Sequence, residues 1–158
     1  MIKVAILTIS DSCSKGQRED ISGQTIKDVL PKDKFEICEY KIVADEHRSI
    51  KEALINYSDE LKADIVLTTG GTGLGPRDVT PEATTDVCQR MVPGLAEAMR
   101  SEGLKKTKKA ILSRSVAAIR GNTLIINLPG SPKGVKESLG AILDVLPHAV
   151  KMMHGAGH

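Results

Sequence analysis

The sequence predicts an α/β domain: a mostly parallel sheet covered by helices on both faces, with antiparallel character added late. Three observations lead there. Short apolar runs of strand length, IKVAILTIS, FEICEYKIV and DIVLTT, alternate with segments of helical spacing. A helix-length segment follows each run, as a crossover between parallel strands requires. Further on, two β-rich runs meet across a single Gly121-Asn122 pair, the signal of a hairpin.

Each element follows in order. IKVAILTIS is too short for a membrane span and breaks at once into DSCSKGQRED, so it reads as a buried first strand and not as a signal peptide. SGQTIKDVL reads as a short helix capped from Asp20 or Ser22. FEICEYKIV is a second strand. EHRSIKEALINYSDEL carries Ile50, Leu54, Tyr57 and Leu61 on one helical stripe. DIVLTT is a third, fully buried strand. After a glycine cluster, Thr80 as N-cap and Pro81 in the first helical position open a helix that runs through Arg90. GLAEAMRSEGL is another helix, and KKTKK at residues 105–109 is a solvated loop or, alternatively, a rim that attracts phosphate. SVAAIRGNTLIINL forms the hairpin. GVKESLGAILDVLPHAV closes the chain as a helix that kinks or stops near Pro147.

Composition narrows the function. The 158 residues fit one domain, residues 1–158, and 41% apolar against 27% charged residues is the balance of a soluble globular protein. A formal charge of +2 is too small for binding nucleic acid by bulk electrostatics, and Phe35, Tyr40 and Tyr57 are the whole aromatic complement, too few for base stacking. Cys13, Cys38 and Cys88 contain no C-x-x-C pair, which indicates neither a disulfide framework nor a zinc site and points to a reducing, cytoplasmic setting. His154 and His158 have metal-ligand spacing, but a frayed terminus is the favoured reading.

The chemistry-bearing residues lie in the loops after the strands. Asp11 follows the first, Asp45 the second, and TTGGTGLGPRDVTPEAT the third, while NLPGSPKG ends the hairpin. In a parallel sheet these loops emerge on one edge, where ligands of open α/β sheets bind. Gly70, Gly71, Gly73 and Gly75 fall within six residues, beside Arg77 and Asp78. The loop is neither a P-loop nor a dinucleotide fingerprint, because no Gly-Lys follows and Pro76 interrupts the pattern. Glycines still let a backbone approach a ligand closely, and successive N–H groups make a nest for anions. A long turn needing positive φ is the alternative, but four glycines after a buried strand, with Arg77 and Asp78 beside them, favour anion binding. Two readings also stand for Asp78: it holds a divalent cation between phosphates while Arg77 neutralises charge, or the two pair with each other. Asp45 has the position of a helix cap. Ser131 and Lys133 suit a turn or a phosphate.

These motifs in this order resemble the MogA/MoaB-type family of molybdenum cofactor biosynthesis proteins. SDSCSKGQREDISG, TTGGTG with RDVTPEAT, and LSRSVAAIRGNTLIINLPGSP carry the resemblance over nearly the whole chain, and the adenylyltransferase branch is the nearest fit. The resemblance implies a three-layer α/β/α sandwich that assembles as a homotrimer. It implies a Mg²⁺-dependent reaction of molybdopterin with ATP, giving adenylylated molybdopterin and pyrophosphate, with the product passed to a molybdenum-insertion enzyme. By motif position, the catalytic acids fall on Asp45 and Asp78, with Asp78 as the metal ligand. Asp11, Gly70, Gly71, Thr72, Gly73, Arg77 and Thr80 fall on the substrate side, together with Ser113, Ser115, Gly130, Ser131 and Lys133. Ser12 departs from the arginine that many relatives carry there. The alternatives are a catalytically silent molybdopterin binder or scaffold of the same family, and an α/β nucleotide enzyme with another acceptor.

Overall fold

The computed structural model describes residues 1–156. Six strands form one sheet: β1 (Ile2–Ile9), β2 (Phe35–Val43), β3 (Ile65–Thr69), β4 (Arg90–Met91), β5 (Ala117–Arg120) and β6 (Thr123–Leu128). Their order across the sheet is β2-β1-β3-β6-β5-β4. β2, β1, β3 and β6 run parallel, whereas β5 and β4 add on antiparallel. The expected architecture is therefore present, hairpin included. Gly121 holds the hairpin turn at φ +57°, a conformation glycine adopts without a side-chain penalty.

Side chains alternate across the central strands, and so both faces are dry. Val4, Ile6, Ile65, Leu67, Leu124 and Ile126 point into one core. Helices α2 (Ile21–Val29), α5 (Pro93–Leu104), α6 (Pro132–Ile142) and α7 (Leu146–Met153) supply residues to that layer, among them Ile26, Met99, Leu139 and Val150. Ala5, Leu7, Val66 and Ile125 point the other way, against α3 (His47–Ile55) and α4 (Thr80–Val87). Three layers result, with β1 and β3 buried on both faces.

Several boundaries differ from expectation. The stripe through Leu61 is helical, but its regular α portion ends at Ile55, and Asn56–Glu60 widens into a π-turn. That turn buries Tyr57, whose hydroxyl donates to the Ile6 carbonyl at 3.1 Å. α4 stops at Val87 and does not reach Arg90. Arg120 donates to the Val87 carbonyl at 2.7 Å, capping the helix end, and Arg90 then pairs with Ile119 as β4. Thr80 is the first helical residue and not the cap. Its hydroxyl is used elsewhere, donating to the Gly70 carbonyl at 2.9 Å. The last helix breaks into a 3₁₀ turn at Leu143–Val145, which leaves Pro147 in the first turn of α7, where its missing N–H costs nothing. A one-turn helix α1 (Asp11–Ser14), capped by Ser10, adds an element that local spacing does not signal. His154 pairs with Asp64 at 3.4 Å, and His158 lies outside the described residues.

Candidate active site

All four parallel strands end on one edge, where the loops that leave them meet α2, α5, α6 and the segment before β5 in two adjoining clefts. The first encloses ≈ 450 Å³ and is lined by Ser10, Asp20, Asp45, Gly71, Asp78 and Ser131, among others. The second encloses ≈ 330 Å³ between Thr72, Gly73, Arg100, Lys109, Ser113 and Ser115. The glycine loop is the partition, since Gly70 and Gly71 face the first cleft and Thr72 and Gly73 the second.

The loop must be glycine for reasons of space as well as torsion. Gly70 and Gly71 sit at φ +99° and +71°. A methyl group on Gly70 would stand 2.2 Å from the Ile9 carbonyl oxygen. One on Gly71 would stand 2.2 Å from Thr80 Oγ1 and 3.3 Å from Asp45 Oδ1. The loop is held from several sides. Gly70 N–H donates to the Leu128 carbonyl at 3.3 Å, and Thr80 N–H donates to the Gly71 carbonyl at 3.1 Å. Thr69 Oγ1 donates to the Pro129 carbonyl at 2.6 Å, bringing the loop after β6 alongside, and Ser22 Oγ ties that loop to α2 through the Gly130 carbonyl at 2.7 Å.

The acidic residues occupy distinct environments. Asp11 and Asp45 exchange backbone-to-carboxylate bonds at 2.9 and 3.0 Å, joining the ends of β1 and β2. Arg77 grips Asp11 with two donors at 3.0 and 2.9 Å. That guanidinium holds the Asp11 carboxyl below its ordinary value, with help from the bond to Asp45. Among the described residues no cation contacts Asp45 in this way, and burial pushes its carboxyl up, further raised by the charges of Asp11 and Asp78. Asp78 accepts from the Gly75 N–H at 2.9 Å, so its carboxylate closes the glycine turn on itself.

Of the residues singled out from the sequence, Asp45, Gly70, Gly71, Asp78, Gly130 and Ser131 line the first cleft, and Thr72, Gly73, Ser113, Ser115 and again Ser131 line the second. Thr80 supports the loop from beneath. Arg77 pairs with Asp11 and not with Asp78, and neither Arg77 nor Asp11 is among the lining residues. Ser131 Oγ is engaged as the N-cap of α6, accepting from Gly134 N–H at 3.1 Å. Lys133, exposed on the first turn of α6, lines neither cleft. Asp20, one of two proposed caps, is the cap of α2, accepting from Gly23 N–H at 2.9 Å, and it also accepts from Thr8 and Tyr40 hydroxyls.

Local sequence gives no sign of the roles of Arg100 and Arg114, and it leaves Lys109 undistinguished within its run. Arg100, on α5, donates to the Ser113 and Ser115 carbonyls at 3.3 and 2.9 Å and so shapes the serine loop. Lys109 of the KKTKK run lines the second cleft, which favours the phosphate-rim reading for that one lysine. Arg114, between the two serines, binds the glycine loop.

Hard oxygen donors and small polar groups, with imidazole and thiolate contributing little, are the makings of a phosphate site. Residues 5–148 match the model of a family described as a probable molybdopterin binding domain. The chain belongs to that family. It is 48% identical to a molybdopterin adenylyltransferase of Helicobacter pylori over 98% of this chain and 89% of that protein. It is 40% identical to the Escherichia coli molybdopterin adenylyltransferase over 98% of this chain and 79% of that one. Among solved structures, the molybdopterin biosynthesis enzyme MoaB from Thermus thermophilus superposes with a TM-score of 0.93 at 53% identity, covering 98% of both chains. The two clefts thus sit on the fold of this family.

Proposed function

We propose that the protein is a molybdopterin adenylyltransferase of molybdenum cofactor biosynthesis, joining the adenylyl group of ATP to molybdopterin and releasing pyrophosphate. The observation that carries this reading is the pairing of two clefts across one glycine loop, with Asp45 and Asp78 on the side of Gly71 and the two serines on the other. The relatives' shared name gives the reaction; the partition offers one compartment to each substrate.

In this reading a terminal phosphate oxygen of molybdopterin attacks the α-phosphorus of ATP. The new P–O bond forms as the bond from that phosphorus to the oxygen bridging the β-phosphate breaks, and pyrophosphate leaves with the electron pair. A phosphate nucleophile is largely deprotonated at neutral pH, so positioning and charge neutralisation matter more than a strong base. The nucleotide phosphates lie over the Gly70–Gly71 turn, near the N-terminal end of α4, whose dipole favours anions. Molybdopterin occupies the second cleft, where Ser113, Ser115 and Lys109 supply donors. Arg77, exposed in the same loop, is paired with Asp11 and cancels that carboxylate's repulsion of the phosphates.

Magnesium fits the donors present. Mg²⁺ binds one or two carboxylates and fills its shell with water and substrate phosphates, and Asp45 and Asp78 are close enough that the charge of one raises the carboxyl of the other. Asp78 would hold the ion with Asp45 assisting, and the ion would supply charge neutralisation between the phosphates. The three free thiols accord with work in the cytoplasm, where ATP is abundant; among the described residues no helix is long and apolar enough to cross a membrane. Leu104, Ile111 and Leu112 stand exposed at the end of α5 and in the turn after it, a surface that a homotrimer would cover. The adenylylated product then serves a molybdenum-insertion enzyme.

The test is direct: incubate the protein with molybdopterin, ATP and Mg²⁺, and look for adenylylated molybdopterin and pyrophosphate by mass spectrometry. Product that requires Mg²⁺ supports the reading. Molybdopterin bound without product, checked by titration calorimetry, would replace it with the carrier reading.

A further inference from the structure

We propose that Arg114 is a positioning residue that clamps both ends of the exposed 74–77 segment and thereby sets Asp78 against the first cleft while its flanking serines wall the second. The kinetic part of this inference rests on the adenylyltransferase reading; the mechanical part does not.

Four acceptors converge on this one residue. Arg114 Nε donates to the Gly73 carbonyl at 2.8 Å, and Nη2 to the Asp78 carbonyl at 2.6 Å. Nη1 donates to Glu82 Oε2 at 2.6 Å, with Nη2 reaching Oε1 at 3.2 Å. The backbone N–H of Arg114 donates to the Thr72 carbonyl at 2.9 Å. Gly73 and Asp78 are the last residues on either side of an exposed stretch, Leu74, Gly75, Pro76 and Arg77. The guanidinium therefore spans the mouth of that loop as a chord.

Its chemistry suits the task. A planar fork of five donors satisfies two carbonyls and a carboxylate at once, at fixed angles, which the single ammonium of lysine cannot do. Glu82 lies in the first turn of α4 and balances the cation, and the guanidinium holds its carboxyl below the ordinary value. The clamp thus fastens the loop to α4, the helix that follows it, through Glu82. The two carbonyl bonds are partly buried, whereas the Glu82 carboxylate, 50% exposed, meets the guanidinium at the surface, so the carbonyl bonds carry the clamp.

The consequence is a division of kinetic effects. Loosening the chord leaves the walls of both clefts standing but lets Asp78 drift, and misplacement of a reacting group by about 1 Å costs on the order of 10²-fold in rate. Arg114→Lys and Arg114→Ala are expected to lower kcat by about 30- to 100-fold while each KM moves by less than about 3-fold. Guanidinium ion added to Arg114→Ala restores part of kcat, and methylammonium does not. Glu82→Gln keeps both carbonyl bonds and loses less than about 5-fold.

Hydrogen exchange followed by mass spectrometry provides the second readout. In Arg114→Ala the amides of residues 72–79 exchange faster, while those of β1 and β3 keep wild-type protection. Unchanged exchange across 72–79 overturns the clamp, whatever the protein catalyses. With an active wild type, unchanged kcat or a loss confined to KM overturns the positioning role. A wild type that makes no product overturns the adenylyltransferase reading and leaves the exchange result to decide the clamp.

Discussion

Asp11 and Asp45 hold each other through their backbones, each carboxylate accepting the other's N–H, yet their charges meet opposite surroundings. Asp11 is neutralised by Arg77, whereas Asp45 is partly buried with no cation in contact among the described residues. The pair joins the ends of two neighbouring strands and places one uncompensated carboxylate beside the Gly71 turn.

That asymmetry has a pH signature. Burial raises the Asp45 carboxyl above its ordinary 3.8, so the folded state binds its proton more tightly than the unfolded chain does. Its contribution to stability is complete below that ordinary value and is lost as pH rises through the raised one. Asp11 works in the other direction: its lowered carboxyl stabilises above the ordinary value, and that contribution is lost as pH falls through the lowered one. Asp45→Asn keeps an oxygen to accept the Asp11 N–H and removes the buried charge. Its melting temperature is expected to exceed wild type at neutral pH, with the advantage vanishing below about pH 4. Turnover should fall by about 10²-fold. Thermal denaturation of both proteins across the acid range checks this; a difference independent of pH would show that Asp45 is not burying charge.

Asp78 is placed to separate charge from shape. Its Oδ2 accepts the Gly75 N–H at 2.9 Å, and an asparagine oxygen can do the same. Asp78→Asn is therefore expected to fold with a melting temperature close to wild type while losing about 10²-fold or more in turnover, since the charge is what opposes the phosphates' repulsion through the metal. The Mg²⁺ concentration for half-maximal rate should rise in the variant. Full turnover at the wild-type Mg²⁺ requirement would remove Asp78 from the metal site.

The glycines can be ranked by what surrounds them. Gly70 and Gly121 both have positive φ, but only Gly70 has a backbone oxygen, that of Ile9, where a Cβ would go; Gly121 opens onto free space. Gly121→Ala should cost about 1 kcal/mol from torsion alone. Gly70→Ala adds displacement of the β1 end and should cost about 3 kcal/mol or more. Chemical denaturation of the two variants tests the order, and equal losses would mean that the Gly70 turn yields freely.

Much of this was legible in the sequence because strands buried on both faces leave unbroken apolar runs and turns leave glycine. The α/β order, the late hairpin and the meeting of Asp45, Gly71 and Asp78 on one edge all follow from those signals. What stayed hidden depends on partners distant along the chain. Arg120 ends α4 from 33 residues away, so local spacing carried the helix too far. Arg77 pairs with Asp11 across 66 residues, although Asp78 is its neighbour. Thr80 carries every local mark of an N-cap, and tertiary contact with Gly70 takes its hydroxyl instead.

Asn127 is the clearest case of such a hidden partner, and it yields the last prediction. It is fully buried on β6, where a strand covered on both faces would be expected to carry an apolar residue. Its Nδ2 donates to Thr68 Oγ1 at 3.1 Å on β3 and to Thr84 Oγ1 at 3.0 Å on α4, and its Oδ1 accepts from Val116 N–H at 3.2 Å. One amide thus ties the strand that ends in the glycine loop to the helix that follows that loop. Asn127→Leu preserves bulk but strands the Val116 N–H and deprives both threonines of their donor, with an expected loss of about 2–3 kcal/mol. Thr84→Val removes only one of these bonds and should cost about 1 kcal/mol. Urea denaturation would show both as midpoint shifts with little change in slope. If Asn127→Leu were instead neutral, the amide would be worth no more than the apolar contact replacing it, and the orientation of α4 would rest on packing alone.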